Sequence, residues 1–292
     1  MSNSIAEHQA FGIKELLRNY SAEVTSGDRK SIDAAGTMMQ PGAEVFIASL
    51  PSDTGDKQVL AAAQLKRAGL TPVPHIVARN IKSLADLDQL LGRLVNEAGI
   101  DRALVLAGDR DQPAGEFSSS LQLLETGLIG KHGIRKVALS WYPEGHPRIP
   151  AADLVAARAA KLATAAKAGL DVTLVSQFCF ESAPIVATAR QIRAEGVTVP
   201  LRVGVAGPAS RTSLLKYAMM CGVGASIRAL KERPAARGML AGDTPEDLLA
   251  ELAAARSAEP ALGIQGIHFF TFASLAATAK FVEEQRQSGA HV

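Results

Sequence analysis

Short runs of apolar, β-branched residues alternate along the chain with longer stretches in which apolar positions recur every three to four residues. The runs are YSAEV (20–24), EVFIAS (44–49), PVPHIV (72–77), ALVLAG (103–108), KVALSW (136–141), DVTLVSQ (171–177), LRVGV (201–205) and GIHFFTF (266–272). Helical periodicity follows them, for example over 57–68, 83–97, 151–168, 182–195, 209–221 and 274–287. Strands that are apolar throughout, rather than on alternate positions, are buried on both faces, as in a parallel sheet covered by helices. Eight such strand–helix units predict an α/β fold, a (β/α)8 TIM barrel. The helical stretch around 225–258, with Pro234 and Pro260 near its limits, reads as an extra helical segment before strand eight, and 1–19 as an N-terminal extension with helical character. No low-complexity linker separates two halves, so a single domain over 1–292 is expected.

Composition then removes several classes of function. Of 292 residues, 47% are hydrophobic, enough for one large core, and 31 basic residues against 29 acidic ones leave a formal charge of only +2. Those charges are spread evenly, so there is no basic footprint for nucleic acid or an anionic membrane, and the expected partner is a small molecule. The two cysteines, Cys179 and Cys221, have neither CxxC nor metal-ligand spacing, which suits a reducing compartment. No segment reaches the roughly 18 apolar residues of a membrane span, and the N-terminus lacks a leader's apolar core, so a cytoplasmic location is expected. Scattered histidines without HxH or HExxH spacing speak against a metal site. None of the strands ends in a lysine, which disfavours Schiff-base chemistry.

In a barrel the chemistry sits at the C-terminal strand ends. Those ends carry Glu23; Ser49 and Pro51; His75 and Arg79; Gly108 and Asp109; Tyr142, Glu144 and His146; Gln177, Phe178 and Phe180; a GVAGPAS turn; and Phe270 and Thr271. Polar groups converging with aromatic faces suit a planar heteroaromatic ligand. Each residue also has a plainer reading. Glu23 could serve a salt bridge, His75 could be a satisfied core histidine, and Asp109 could cap the next helix. The Gln177 amide could bond backbone instead of ligand. The glycines of GVAGPAS could admit a phosphate or simply make a turn. His268, Cys179 and Cys221 read as structural. WYPEGHP (141–147) stands apart, because it gathers the only tryptophan with a tyrosine, a glutamate, a histidine and two prolines.

The ordered motifs SAEV, PVPHIVARN, LVLAGDRDQP, WYPEGHP, AGLDVTLVSQFCFES, LRVGVAGPAS and GIHFFTF resemble the methylenetetrahydrofolate reductase family, from about residue 20 to 285. The resemblance implies a flavin-dependent barrel of one-carbon metabolism. It would reduce 5,10-methylenetetrahydrofolate to 5-methyltetrahydrofolate with NADH or NADPH, supply methionine biosynthesis, and possess FAD as cofactor, with a homo-oligomer compatible. By the same resemblance Glu23 is the general acid that opens the folate's five-membered ring to an iminium, an effect typically worth roughly 10²–10⁴-fold. Asp109 lies between flavin and pterin and is both catalytic and binding, Gln177 hydrogen-bonds the pterin, and Phe180 and Phe270 complete the substrate site. The flavin would be held by Ser49, His75, Ala107, Gly108, Asp109, Phe117, Ser118, Ser140, Tyr142, His146, Arg158 and Lys161, with no metal. WYPEGHP then becomes a flavin-binding loop, Tyr142 against the cofactor and His146 near its phosphates or ribityl chain.

The sequence departs from the family's pattern at several places. Val24-Thr25-Ser26-Gly27 follow Glu23, Ala48-Ser49-Leu50 stand after strand two, and Ala107 replaces the arginine before Gly108. Ala163, Thr164 and Ala165 occupy places where cations face the flavin diphosphate, leaving Arg158 or Lys161 to substitute, and Ala273-Ser274 follow strand eight. These departures keep three alternatives open: a flavin-independent reductase with hydride passing directly from the nicotinamide, another folate-linked one-carbon enzyme on the same barrel, and a non-catalytic folate- or flavin-binding subunit.

Overall fold

The computed structural model describes residues 12–146, 148–209, 212 and 244–287. Its strands are β1 (Ser21–Thr25), β2 (Glu44–Ala48), β3 (Thr71–Val77), β4 (Arg102–Leu106), β5 (Lys136–Trp141), β6 (Asp171–Cys179), β7 (Leu201–Ala206) and β8 (Ile264–Phe270). They follow one another in sequence order around a closed barrel, and the pairs β2–β3, β3–β4, β4–β5 and β7–β8 are parallel. Helices α1 (Arg29–Met38), α2 (Gly55–Arg67), α3 (Leu84–Ala98), α4 (Ser120–Glu125), α5 (Leu128–Lys131), α6 (Ala151–Lys167), α7 (Ser182–Ala194), α8 (Glu246–Ala258) and α9 (Leu275–Gln287) lie between and after them. The fold is thus the (β/α)8 barrel that the periodicity predicts.

Three differences from the sequence expectation have physical causes. β6 runs on to Cys179, because the apolar run continues through Phe178. β8 stops at Phe270, short of the expected Phe272, because Phe272 and Ala273 take left-handed φ values of 49° and 59° that no strand accommodates. The connection from β4 to β5 holds two short helices rather than one, broken at Gly127 with φ 69°. The helix expected over 209–221 lies outside the described residues except at Ala209 and Thr212, and Cys221 lies outside them too. Of the extra segment at 225–258 the described part is α8, and Pro260 begins a single 3₁₀ turn (Pro260–Leu262) after it.

The described residues form two compact units. The first, residues 23–141 and 148–174, shows why the sequence makes these elements. α3 begins where the Ser83 hydroxyl accepts the Asp86 N–H at 3.2 Å. It buries Leu87, Leu91, Leu94 and Ala98 along one face, and ends at Gly99, whose φ of 60° a side chain would strain. Each fully buried leucine contributes about 1.5–3 kcal/mol. Val45, Ile47, Ile76 and Val105 form the matching apolar interior of the strands.

The second unit comprises residues up to 22, 142–147 and those from 175 onward. Here β7 and β8 register Val203 with Ile267, Gly204 with His268 and Val205 with Phe269. A side chain at Gly204 would lie 2.6 Å from the Gln177 carbonyl oxygen and closer still to that of Ser176. The Ser176 hydroxyl accepts the Gly204 N–H at 2.7 Å and donates to the Gln177 carbonyl at 2.6 Å. Phe269 packs edge-on against Tyr20 and Phe281, with centroids 5.9 and 6.3 Å away.

Candidate active site

In the first unit β1 and β3 present Glu23 and His75 to one another. Nε2 of His75 lies 3.3 Å from Oε2 of Glu23, and both side chains are largely covered, at 9% and 18% exposure. The two groups touch without an aligned hydrogen bond. The strand position of His75 is secured by Gln58 of α2, whose amide donates to the His75 carbonyl at 2.7 Å. A part-buried carboxyl touching an imidazole can hold, give up or exchange a proton, the basic requirement of acid–base catalysis.

The loops beside this pair are tied by a carboxylate that the sequence reading did not single out. Asp53 accepts the Ser26 hydroxyl at 2.7 Å and the Leu50 N–H at 2.9 Å, with Lys57 at 3.6 Å, so the chain after β1 is fastened to the chain after β2 around Ser49. Its signal in the sequence was weak, a single aspartate in SLPSDTG whose partner Ser26 is 27 residues away.

After β4, Gly108 has φ 94°, and a side chain there would run into Val77. Close approach of backbone is what glycine supplies at this turn. Asp109 follows it, exposed, 3.9 Å from Nη2 of Arg148, whose Nη1 bonds Asp111 at 2.9 Å. Asp109 is not the cap of α4. That role belongs to Ser119, which with Gln122 forms a reciprocal capping box. Arg79 is occupied structurally, donating to the carbonyls of Ser118, Arg110 and Asp111 at 3.1, 2.9 and 3.2 Å. Arg110 likewise bonds Asn80 and the Pro51 carbonyl. Ser118 gives its N–H and hydroxyl to Gln122, Phe117 is buried, Ala107 carries no polar side chain, and Ser140 is half-buried on β5.

On α6, Arg158 is buried and Lys161 partly so, one turn apart. Burial pushes the Lys161 ammonium below the ordinary lysine value, and the Arg158 charge adds to that shift. Among the described residues no carboxylate pairs with Lys161.

In the second unit the loop after β5 is clamped to the end of β6. Gln177 donates to the Gly145 carbonyl at 3.1 Å, Glu144 accepts the Phe180 N–H at 3.2 Å, and Thr188 reaches the Pro143 carbonyl at 3.4 Å. Gly145 turns the loop at φ 79°, and Tyr142 and His146 meet edge to face at 5.2 Å. The plainer reading of Gln177 thus holds in part: one amide hydrogen serves backbone. Its side-chain oxygen has no partner among the described residues.

Phe178 sits at the centre of an aromatic cluster, edge to face with Phe180, Phe270 and Phe272 at 5.6, 5.4 and 5.5 Å. The left-handed backbone at Phe272 and Ala273 is costly for side-chain-bearing residues, of order 1–3 kcal/mol each, and such strain gathers at ligand sites. His268 shares a 2.9 Å hydrogen bond with the buried Ser21 hydroxyl. Cys179 is buried, and burial together with the Glu144 charge drives its thiol well above the ordinary range, which makes it inert. The glycines of GVAGPAS answer to packing: Gly204 as above, and Gly207 against Thr278. Among the described residues no cluster of three metal-ligating side chains exists, and no helix is long and apolar enough to cross a membrane.

The first unit thus carries a carboxyl–imidazole pair on its strands and the second an aromatic cluster, in a parallel barrel of the kind that hosts many enzymes. Residues 45–286 match the methylenetetrahydrofolate reductase family, and the chain belongs to that family. Its relatives are folate-linked oxidoreductases of one-carbon chemistry that generally bind FAD. Among solved structures, an uncharacterized protein from Clostridium thermocellum that binds two copies of 5-methyl-5,6,7,8-tetrahydrofolic acid is 11% identical, with 92% of this chain and 98% of that one covered and a TM-score of 0.57. The likeness is one of fold. A dihydropteroate synthase from Thermus thermophilus is 15% identical over 91% of this chain and 92% of its own, with a TM-score of 0.49.

Proposed function

We propose that the protein reduces 5,10-methylenetetrahydrofolate to 5-methyltetrahydrofolate with NADH or NADPH. The observation that carries this reading is the Glu23–His75 contact on β1 and β3, in a chain of this family. Glu23 would give a proton to the amine nitrogen that leaves as the five-membered ring opens, so that the methylene carbon becomes an iminium able to accept hydride. Asp109, exposed after β4, would bind the pterin edge and offset the positive charge of the iminium. Gln177 would offer its uncommitted side-chain oxygen to a pterin N–H, with Phe180 and Phe270 giving apolar faces. The folate bound by the Clostridium thermocellum barrel is in keeping with this reading.

FAD fits the donor set in one respect: Lys161 and Arg158 form a covered cationic pair suited to a diphosphate. Gly108 would let backbone approach it, and Ser49, His75, Ala107, Phe117, Ser118, Ser140, Tyr142 and His146 would complete its surroundings. When bound, the flavin would relay hydride from nicotinamide to folate. Every other step belongs to the chain: Asp53 holds the loop around Ser49, and the clamp of Gln177 and Glu144 fixes the loop bearing Tyr142. One observation favours a flavin-free variant of the same reaction. Ser118 has both donors committed to Gln122, and Ala107 offers no side-chain donor. The visible spectrum separates the two. A yellow protein, or one that turns yellow on gel filtration with FAD, supports the flavin enzyme. A colourless protein that still converts the folate supports direct hydride transfer, and a protein that neither binds nor converts the folate would end the reductase reading.

A further inference from the structure

We propose that His75 is the positioning residue of the acid, and that it holds in common with Glu23 the proton used to open the folate ring. This rests on Glu23 being the proton donor of the function proposed above.

The geometry is built for the pair. Gln58, itself 2% exposed, locks the His75 backbone from α2, and Phe46 of β2 meets the imidazole edge to face at 6.2 Å. The ring is thereby presented to β1, where Glu23 Oε2 stands 3.3 Å from Nε2. Nε2 is buried and has no aligned hydrogen-bond partner. A small rotation of the Glu23 carboxyl satisfies it, and contacts of this kind tighten when substrate closes a site. Among the described residues Glu23 is the one ionisable group in contact with the ring. Phe46 faces it from β2, Gln58 reaches it from α2 through the backbone, and its partner in register on β4 is Leu104.

A carboxyl and an imidazole in contact bind and release protons as a pair rather than singly. The proton that Glu23 gives up can thus be drawn from either group of the pair. In the reaction that proton forms the new N–H bond as the carbon–nitrogen bond of the ring breaks. A carboxylate and a neutral imidazole are left behind, to be reprotonated from solvent, and nothing in this step is oxidised or reduced.

The test begins with ligand-free protein carrying carbon-13 in its glutamate carboxyls, comparing wild type with His75→Gln and His75→Phe. The Glu23 signal should titrate in two inflections in wild type and in one in both variants; a curve unchanged by either substitution would overturn the proposal. Because no substrate is present, this result stands or falls independently of whether the protein reduces folate. With substrate, kcat in both variants should fall off on the alkaline side about one pH unit earlier than in wild type, with KM for the folate within about twofold. His75→Gln keeps hydrogen bonding without titrating, so a Gln variant that follows the wild-type profile would show a merely structural role and refute the idea.

Discussion

Glu23, Lys161 and Gly204 illustrate three ways in which a single residue is tied to this structure. For Glu23 the expectation is chemical. Glu23→Gln keeps shape and loses the proton, so turnover should fall by roughly 10²–10⁴-fold while folate affinity stays within a few-fold. Single-turnover kinetics beside equilibrium binding checks this, and an unchanged rate would remove Glu23 from the mechanism. For Lys161 the expectation concerns stability. Folding lowers its pKa through burial and the Arg158 charge, so the ammonium weakens the folded state wherever it is protonated, and this cost is relieved as pH rises through the lowered value. Lys161→Met should therefore raise the melting temperature near neutral pH and weaken binding of a diphosphate ligand. Calorimetry with and without FAD reads both, and a melting temperature that falls in the ligand-free variant would contradict the sign. Glu23 and Gln177 were legible in the sequence because each stands near a strand's C-terminal end. Asp53 and Arg148 were not, because the groups that give them meaning, Ser26 and Asp111, lie 27 and 37 residues away and are brought near only by the fold.

Among the elements, the tightest constraint is where β7 passes β6. Gly204→Ala would force its methyl into backbone oxygens of Ser176 and Gln177, neither of which can rotate away, and should destabilise by about 1–3 kcal/mol or more. Urea unfolding measures this, and a neutral variant would mean that the two strands can part. At α4 the two cap candidates separate cleanly. Ser119→Ala should cost about 1 kcal/mol and Asp109→Asn almost nothing, since the capping box belongs to Ser119. A substantial loss in Asp109→Asn would show that this aspartate supports the fold as well. Periodicity located the strands and long helices to within a few residues, as with 83–97 against Leu84–Ala98. It overran the end of β8, since an apolar run carries no mark of the left-handed turn at Phe272 and Ala273.

At the scale of the whole molecule, the closed order β1 to β8 was readable because each parallel strand is buried on both faces and followed by an amphipathic stretch. The chemistry was less so. WYPEGHP stood out by composition, yet its structural part is a loop held to β6 by Gln177 and Glu144, a pairing that periodicity does not encode. Family membership and the Glu23–His75 pair together point to folate reduction. Its most direct test is anaerobic incubation of the purified protein with 5,10-methylenetetrahydrofolate and either NADH or NADPH, with FAD supplied or withheld, followed by chromatography of the folates. The expected product is 5-methyltetrahydrofolate, in amounts matching the nicotinamide oxidised and lost in Glu23→Gln. Folate recovered unchanged under all four conditions would contradict it.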